Sequence, residues 1–467
     1  MTDGQRTLKI GLLPGMIELY ERLAPGLREK LGEVTVQAKA VLEAEGMAVA
    51  AGEVAATREQ VRRECQRLGE AGVDLLVVAH VTYCPSGVLV DAIVEAGVPT
   101  VLWPAQPMFE LRGETYDFDT VLLNHGVHGT QDLANVLRRR GVAFGVVHGH
   151  WKQKDTLAQL REFAAAGRAL RAMRDSQPVQ IGGHFEDMLD LPLTDQLFLE
   201  RMGLRPTAVD VDEFAARIEG VDRSAVREMI EAYRREFRID TAVDRDLLKK
   251  TAVGEVALRV VLNERNSTAF GVNFLTLCND ARVADGLHVA ASRLMAEGYG
   301  YAGEGDWVTA VMVRGLMAAF EQASFTEIFS VGYADNRLVL RHWGEGNLAL
   351  AREKPRLTAS EFADRIEAKF AVTDFEFATG EARLVNWNAT PDGRGQLVAI
   401  RGHVEEERLS KVGGPRAIFR PAVGDVREVL TRYAEAGGSH HLGVAYGVSD
   451  QTIQKMGRLA GWQVEVI

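Results

Sequence analysis

Four short segments carry residue types that together could hold a cation and move a proton. YAGEGDW places Glu304 between Gly303 and Gly305, just ahead of Asp306. SFTEIF places Glu327 in an otherwise apolar run, where a carboxylate is costly unless it is paired or meets a cation. LVLRHWGE puts His342 at the end of another apolar run, and GGSHH sets His440 beside His441 after two glycines. Taken singly, each has a plain structural reading: an outward-facing strand glutamate, a satisfied core histidine, a helix-capping carboxylate. The cap suits Asp306 well and Glu304 less well, because the flanking glycines point to close backbone approach beside that carboxylate. Taken together, two carboxylates and two imidazoles suit a divalent cation. Hard oxygen ligands mixed with imidazole favour Mn2+, with Mg2+ or Co2+ as alternatives, over a closed thiolate zinc site. Four protein ligands on an octahedral ion leave two positions for vicinal substrate oxygens, such as those on C1 and C2 of an open-chain sugar.

Other chemistries find less support. Gly298, Gly300 and Gly303 fit a GxGxxG pattern, which binds a dinucleotide only between a strand and a helix. Here the preceding ADGLHVAASRLMAEG has a helical pattern, and Glu304 and Asp306 would repel a pyrophosphate. An NAD-dependent oxidoreductase is therefore the lesser alternative. Cys65, Cys84 and Cys278 form no CxxC pair, which excludes a disulfide framework and suits a reducing compartment. Acidic residues outnumber basic ones 65 to 54, and the net charge of −11 repels phosphate backbones. The one dense basic run, Arg138-Arg139-Arg140, closes a predicted helix, where it complements the dipole. A nucleic-acid partner is not expected. The opening MTDGQRTLKIGLLPGM does not read as a signal peptide, and no apolar run is long enough for a membrane span. A cytoplasmic location follows as the expectation.

These segments need elements to position them. The length of 467 residues predicts two or three domains. In the first third, LKIGLL, VDLLVVAHV, VPTVLWP and VAFGVVHG read as buried strands alternating with helices such as 57–72, 87–97 and 130–141. Continuous Val/Ile/Leu strands between helices mean an α/β fold with a doubly wound parallel sheet, and its ligands belong at the carboxyl ends of the strands. PVQIGGHF opens a second α/β segment, which is mostly helical but has strand character at 269–274. Beyond about residue 323, alternating strands and turns such as Asp392-Gly393 predict an antiparallel sheet or barrel. The expected division is 1–170, a doubly wound N-terminal domain; 171–322, a central α/β domain with the GEGDW loop; and 323–467, a β-rich C-terminal domain.

The segment GYGYAGEGDWVTA closely resembles the loop of L-arabinose isomerases that carries their first metal-binding glutamate. The resemblance continues in order through SFTEIF, LVLRHWGE and AGGSHH. It implies metal ligation by Glu304, Glu327, His342 and His441, with acid–base work shared by the two glutamates. LNHGVHG, GHW and Met188 in FEDM also match, so the likeness spans nearly the whole chain and is dense around these blocks. It further implies that His128 binds a sugar hydroxyl in a neighbouring subunit's site. The implied assembly is a homo-oligomer, typically a hexamer of two trimers. His440 is expected to point away from the metal, toward substrate or its own backbone. Phe274, Phe185 and Trp307 are candidate apolar walls, with core packing as their default.

The departures lie on the sugar-reading side. Ile17 stands where the family has a glutamine, His125 replaces a second glutamine, and Ile328 and Phe329 replace an acidic residue and a tyrosine. An aldose–ketose isomerase with an altered sugar pocket is therefore the expectation. Such an enzyme moves a proton between C1 and C2 through an ene-diolate, with the cation as Lewis acid and template. A sugar-binding protein that kept the fold and lost turnover is the alternative from another class, and a metal titration followed by an aldose panel separates the two.

Overall fold

The protein is described by a computed structural model over residues 7–320, 322–360 and 369–467. It divides into two compact units. One unit holds the residues up to Arg171 together with Asp450–Trp462, and the other holds Ala172–Ser449 with Gln463–Ile467.

In the first unit, the buried runs Lys9–Pro14, Leu75–Ala79 and Thr100–Trp103 become strands of a parallel sheet. Two shorter strands complete it, in the order Ala48–Ala51, Lys9–Pro14, Leu75–Ala79, Thr100–Trp103, Gly145–Val146. Helices such as Arg58–Glu70, Ser86–Ala96 and Gly126–Arg139 pack on it through Val61, Leu89, Ile93 and Leu133. This is the doubly wound arrangement expected from uninterrupted apolar strands. The strand order reverses between the first and third strands, so Ile17 and Tyr83 follow the carboxyl ends on either side of that reversal. The Ile17 amide donates to the Tyr83 carbonyl at 2.8 Å. Two details differ from the sequence expectation. Strand Ala48–Ala51 is too short and its residues too small to stand out as an apolar run. The helix expected from 130 begins four residues earlier, at Gly126. Gly126 and Gly129 make this possible, because a Cβ on either would collide with His80.

The second unit opens with a four-stranded parallel sheet in the order Gly300–Gly303, Ala269–Val272, Val179–Ile181, Thr207–Val209. Its long helices bury apolar faces, as Trp307–Phe320 does with Val308, Val311, Met312 and Leu316. The C-terminal stretch is mainly antiparallel, as the alternation predicts, with parallel pairings such as Gly395–Val404 with Gln463–Val466. Six of its strands close on themselves: Gly395–Val404, Gly380–Ala389, His441–Tyr446, Ala323–Gly332, Arg337–Arg341 and Pro415–Pro421, which pairs back to the first. Closure removes exposed strand edges. The barrel core is Leu338, Leu340, Leu384, Ile400, Phe419 and Val444. Among the described residues, no helix is long and apolar enough to cross a membrane.

Candidate functional site

Strand register brings three of the four candidate ligands together. Glu327 lies directly across from His441 on one side and from Arg341, the residue before His342, on the other. Adjacent strands lie roughly 5 Å apart, so these three side chains become neighbours wherever the barrel forms. Glu304 arrives from the parallel sheet, immediately after strand Gly300–Gly303. The four ligand atoms lie within 4.8 Å of one another. His441 Nε2 is 3.2 Å from Glu304 Oε2 and 3.1 Å from Glu327 Oε1, while His342 Nε2 is 3.7 Å from Glu327 Oε1. Ligand atoms about 2.2 Å from a central ion would sit about 3.1 Å apart when adjacent and about 4.4 Å apart when opposite. The three spacings of 3.1, 3.2 and 3.7 Å fall in that range, and the outer bound of 4.8 Å lies just beyond it.

Each imidazole is turned by a carboxylate behind it. Asp306 Oδ2 meets His441 Nδ1 at 2.8 Å, and Glu345 Oε1 meets His342 Nδ1 at 2.7 Å. Glu345 is itself held by the Tyr301 hydroxyl at 2.9 Å and the Gly344 amide at 2.9 Å. With Nδ1 engaged, both Nε2 atoms face the cluster, buried and without a hydrogen-bond partner. His441 Nε2 is near two carboxylate oxygens in distance, yet not aligned for a hydrogen bond to either. A carboxylate–imidazole pair with its Nε2 left free is the usual way a protein presents a neutral histidine to a metal.

The turn that delivers Glu304 needs its glycines. Glu304 adopts a left-handed φ of 59° and Gly305 one of 77°, conformations that a side chain rarely adopts without support. The Glu304 carbonyl accepts from the Phe185 amide at 3.0 Å, which holds the turn. A Cβ on Gly303 would lie 2.8 Å from the His342 ring, and one on Gly305 would lie 2.0 Å from the Gly183 carbonyl oxygen. What approaches the carboxylate's backbone is therefore the His342 ring on one side and the 183–185 loop on the other. Gly305→Ala is expected to destabilise the fold by more than about 2 kcal/mol, since it meets rigid backbone. A thermal unfolding scan checks this; an unchanged Tm would contradict it.

Burial and charge explain the electrostatics. Glu304, Asp306, His342, Glu345 and His441 are all buried, where charge must be balanced locally. Burial alone would raise the Glu304 pKa, but the His440 hydrogen bond and the nearby His441 and His342 imidazoles outweigh it and hold the carboxyl well below its usual range. Burial likewise opposes ionisation of Glu345, yet attraction to His342 and His288 holds it at about 2. Burial disfavours the charged form of His441, and Asp306, Glu304 and Glu327 overcome that and raise its pKa well above the usual value. Four carboxylates around two imidazoles thus demand positive charge. A divalent cation would supply it with the imidazoles neutral.

His440 does not turn away from the cluster. Its Nδ1 meets Asp190 at 2.7 Å and its Nε2 stands 3.4 Å from Glu304, with the ring partly exposed at the mouth. Burial lowers its pKa, but the Asp190 and Glu304 hydrogen bonds raise it to about 9. Phe185, tied to Glu304 through its amide, stacks loosely on Phe274 with ring centres 6.2 Å apart. Phe274 is buried and also faces His288, and Met188 is half-buried in the loop before helix Asp190–Met202. Trp307 is a core residue, edge-on to Phe198. Ile328 packs against the barrel core, and Phe329 meets Trp343 with Arg341 over both rings. Ile17, His125 and His128 belong to the other unit, at the sheet's carboxyl edge. There His125 links the Tyr20 hydroxyl, 2.9 Å from its Nδ1, to His128, 2.9 Å from its Nε2, and Tyr83 stacks on His128.

Three residues of this site were not read from sequence as such. Asp306 does cap its helix, accepting from the Thr309 amide at 2.9 Å, but its other oxygen holds His441. Glu345 sits three residues after His342, a spacing that a search for a histidine partner would find. Asp190 leaves no such mark, because it meets His440 only through tertiary structure.

The chain matches the L-arabinose isomerase N-terminal domain over residues 20–175, the central domain over 199–322 and the C-terminal domain over 322–463. The L-arabinose isomerase of Geobacillus kaustophilus (strain HTA426) is 26% identical over 431 residues, covering 89% of this chain and 85% of its own length. The L-arabinose isomerase of Thermotoga maritima is 27% identical over 373 residues, covering 77% of this chain and 73% of its own. All three domain matches fall in family order along the chain, and on them the chain belongs to the L-arabinose isomerase family, a family of sugar-isomerising enzymes.

Proposed function

We propose that the protein is a metal-dependent aldose–ketose isomerase acting at the cluster of Glu304, Glu327, His342 and His441. The observation that carries this is the convergence of four ligand atoms with two buried, unpartnered Nε2 atoms. The donor set of two carboxylates and two imidazoles fits Mn2+, with Mg2+ or Co2+ as alternatives. A divalent ion there would supply Lewis acidity to the oxygens on C1 and C2 of an open-chain sugar. The remaining work falls to the chain. One of Glu304 and Glu327 takes the carbon-bound proton and returns it to the neighbouring carbon, and the other serves the oxygens. Asp306 and Glu345 hold the imidazoles in the tautomer that leaves Nε2 free. His440, fixed by Asp190 at the mouth, is placed to bind a substrate hydroxyl. Phe274 and Met188 are assigned to the apolar side of the pocket. His128, oriented by His125, is assigned to a sugar hydroxyl in a neighbouring chain's site, in a hexamer of two trimers. The three-part division at 170 and 322 is likewise our proposal. The free, buried cysteines suit a reducing compartment, so we assign the reaction to the cytoplasm.

Ile17 and His125 stand where the family carries amides, and a site that loses a hydrogen-bonding partner can lose several kcal/mol of discrimination. L-arabinose is therefore not expected to be the best substrate. The test is a panel of pentoses, hexoses and deoxyhexoses with Mn2+, scored by ketose formation. A wide kcat/KM advantage for L-arabinose would overturn the altered-pocket reading. Asp306→Asn tests the cation independently of turnover. It removes the charge behind His441 and should weaken Mn2+ binding about 10–100-fold by calorimetry. Unchanged affinity would show that His441 needs no such partner.

A further inference from the structure

Away from the cluster, the second unit carries an open cleft of about 200 Å3 with an unusual lining. Six cationic side chains, Arg238, Arg352, Lys354, Arg356, Arg408 and Arg416, face three carboxylates. With Asp240, which pairs with Arg356, four carboxylates meet these six cations and leave two positive charges in excess on a chain whose net charge is −11. The excess is not spread evenly. The floor is closed by ion pairs: buried Arg416 holds Asp374 at 2.5 Å and lies 3.8 Å from Glu376, and it donates to the Leu409 and Gly414 carbonyls. Arg352 donates to the Glu405 and Glu406 carbonyls, both at 2.8 Å, and lies 3.6 Å from Glu376. The rim is where charge remains. Arg356 and Arg408 are half-exposed and shared between carboxylates, Arg356 with Asp240 at 2.5 Å and Asp374 at 3.4 Å, Arg408 with Glu353 at 2.6 Å and Glu376 at 3.7 Å. Arg238 and Lys354 are exposed and have no ion-pair partner among the described residues.

Cations crowded in this way repel one another unless an anion joins them. A planar guanidinium fork suits a tetrahedral oxyanion, which can accept from two arginines and a lysine at once. The cleft has room for a phosphate group with a few attached carbons and lacks the length of a groove that tracks a polymer. We propose that this cleft binds the phosphate group of a small molecule, held by Arg238, Lys354 and Arg408 over the ion-paired floor. It does not depend on the isomerase reading, because it shares no residue with the cation cluster.

The test uses the full chain and calorimetric titration with two probes, inorganic phosphate and glucose 6-phosphate, at fixed ionic strength. Saturable binding of at least one probe is expected with Kd below about 1 mM, the strength that a few charge-assisted hydrogen bonds leave after association costs. Lys354→Ala and Arg408→Ala should each weaken it about tenfold or more while the Tm stays within a few degrees. Tighter binding of inorganic phosphate would identify the free ion as the occupant, and tighter binding of glucose 6-phosphate a phosphorylated sugar. No saturable binding of either probe, or binding that both variants leave within twofold, overturns the proposal. So does a 20-nucleotide DNA strand that binds more tightly than both, since the surface would then be one for polyanions.

Discussion

Glu304→Gln is expected to reduce kcat by at least 10²–10⁴-fold, the typical contribution of a positioned proton acceptor. The change keeps the side chain's volume, so the left-handed turn and the Phe185–Glu304 backbone bond should survive. What it removes is specific: one of two carboxylates able to accept the carbon-bound proton, and one negative charge within 3.2 Å of His441 Nε2. Weaker cation binding should add to the loss, so the variant must be assayed at saturating Mn2+. The readouts are kcat, and the exchange of the substrate's carbon-bound hydrogen with solvent followed by NMR. Normal turnover at saturating metal would remove Glu304 from the mechanism.

His441→Ala should act through the cation instead. It deletes one Nε2 and leaves Asp306 buried without its partner, so Mn2+ affinity is expected to fall by at least about 100-fold. Raising Mn2+ should recover part of the activity, which would not happen if His441 moved protons. His440→Ala is the companion variant. Its ring stands at the mouth, between Asp190 and Glu304, and lies outside the group of four convergent ligand atoms. Its loss should raise KM for the sugar and leave Mn2+ affinity within a few-fold. If metal affinity follows His440 and not His441, the assignment of the adjacent imidazoles is reversed.

The parts of the fold written in one-dimensional pattern were legible. Buried Val/Ile/Leu strands between amphipathic helices announce a parallel sheet, and period-two alternation after 323 announces the antiparallel part. Closure into a barrel was left open beside a plain sheet, because it depends on the pairing of Gly395–Val404 with Pro415–Pro421, a long-range choice with no local mark. Candidate ligands were visible because a carboxylate in an apolar strand is costly, and because glycines on both sides of Glu304 are hard to explain otherwise. Their partners were not. Asp306 satisfied a simpler role as a helix cap, which hid its second oxygen. Asp190 meets His440 across 250 positions of sequence. His440 itself was expected to turn from the cluster, and the Asp190 contact is the physical reason it does not.

If a cation held by these four side chains is required to turn an aldose into its ketose, removing it must stop turnover. The most direct measurement strips the purified protein with a chelator, then follows ketose formation from the best aldose of the panel as Mn2+ is added back. No turnover is expected without metal, with full recovery at one ion per chain. Glu304→Gln and His441→Ala are expected to bind that ion more weakly. Turnover at an undiminished rate in the stripped protein, or Mn2+ bound with unchanged affinity by both variants, would contradict that requirement.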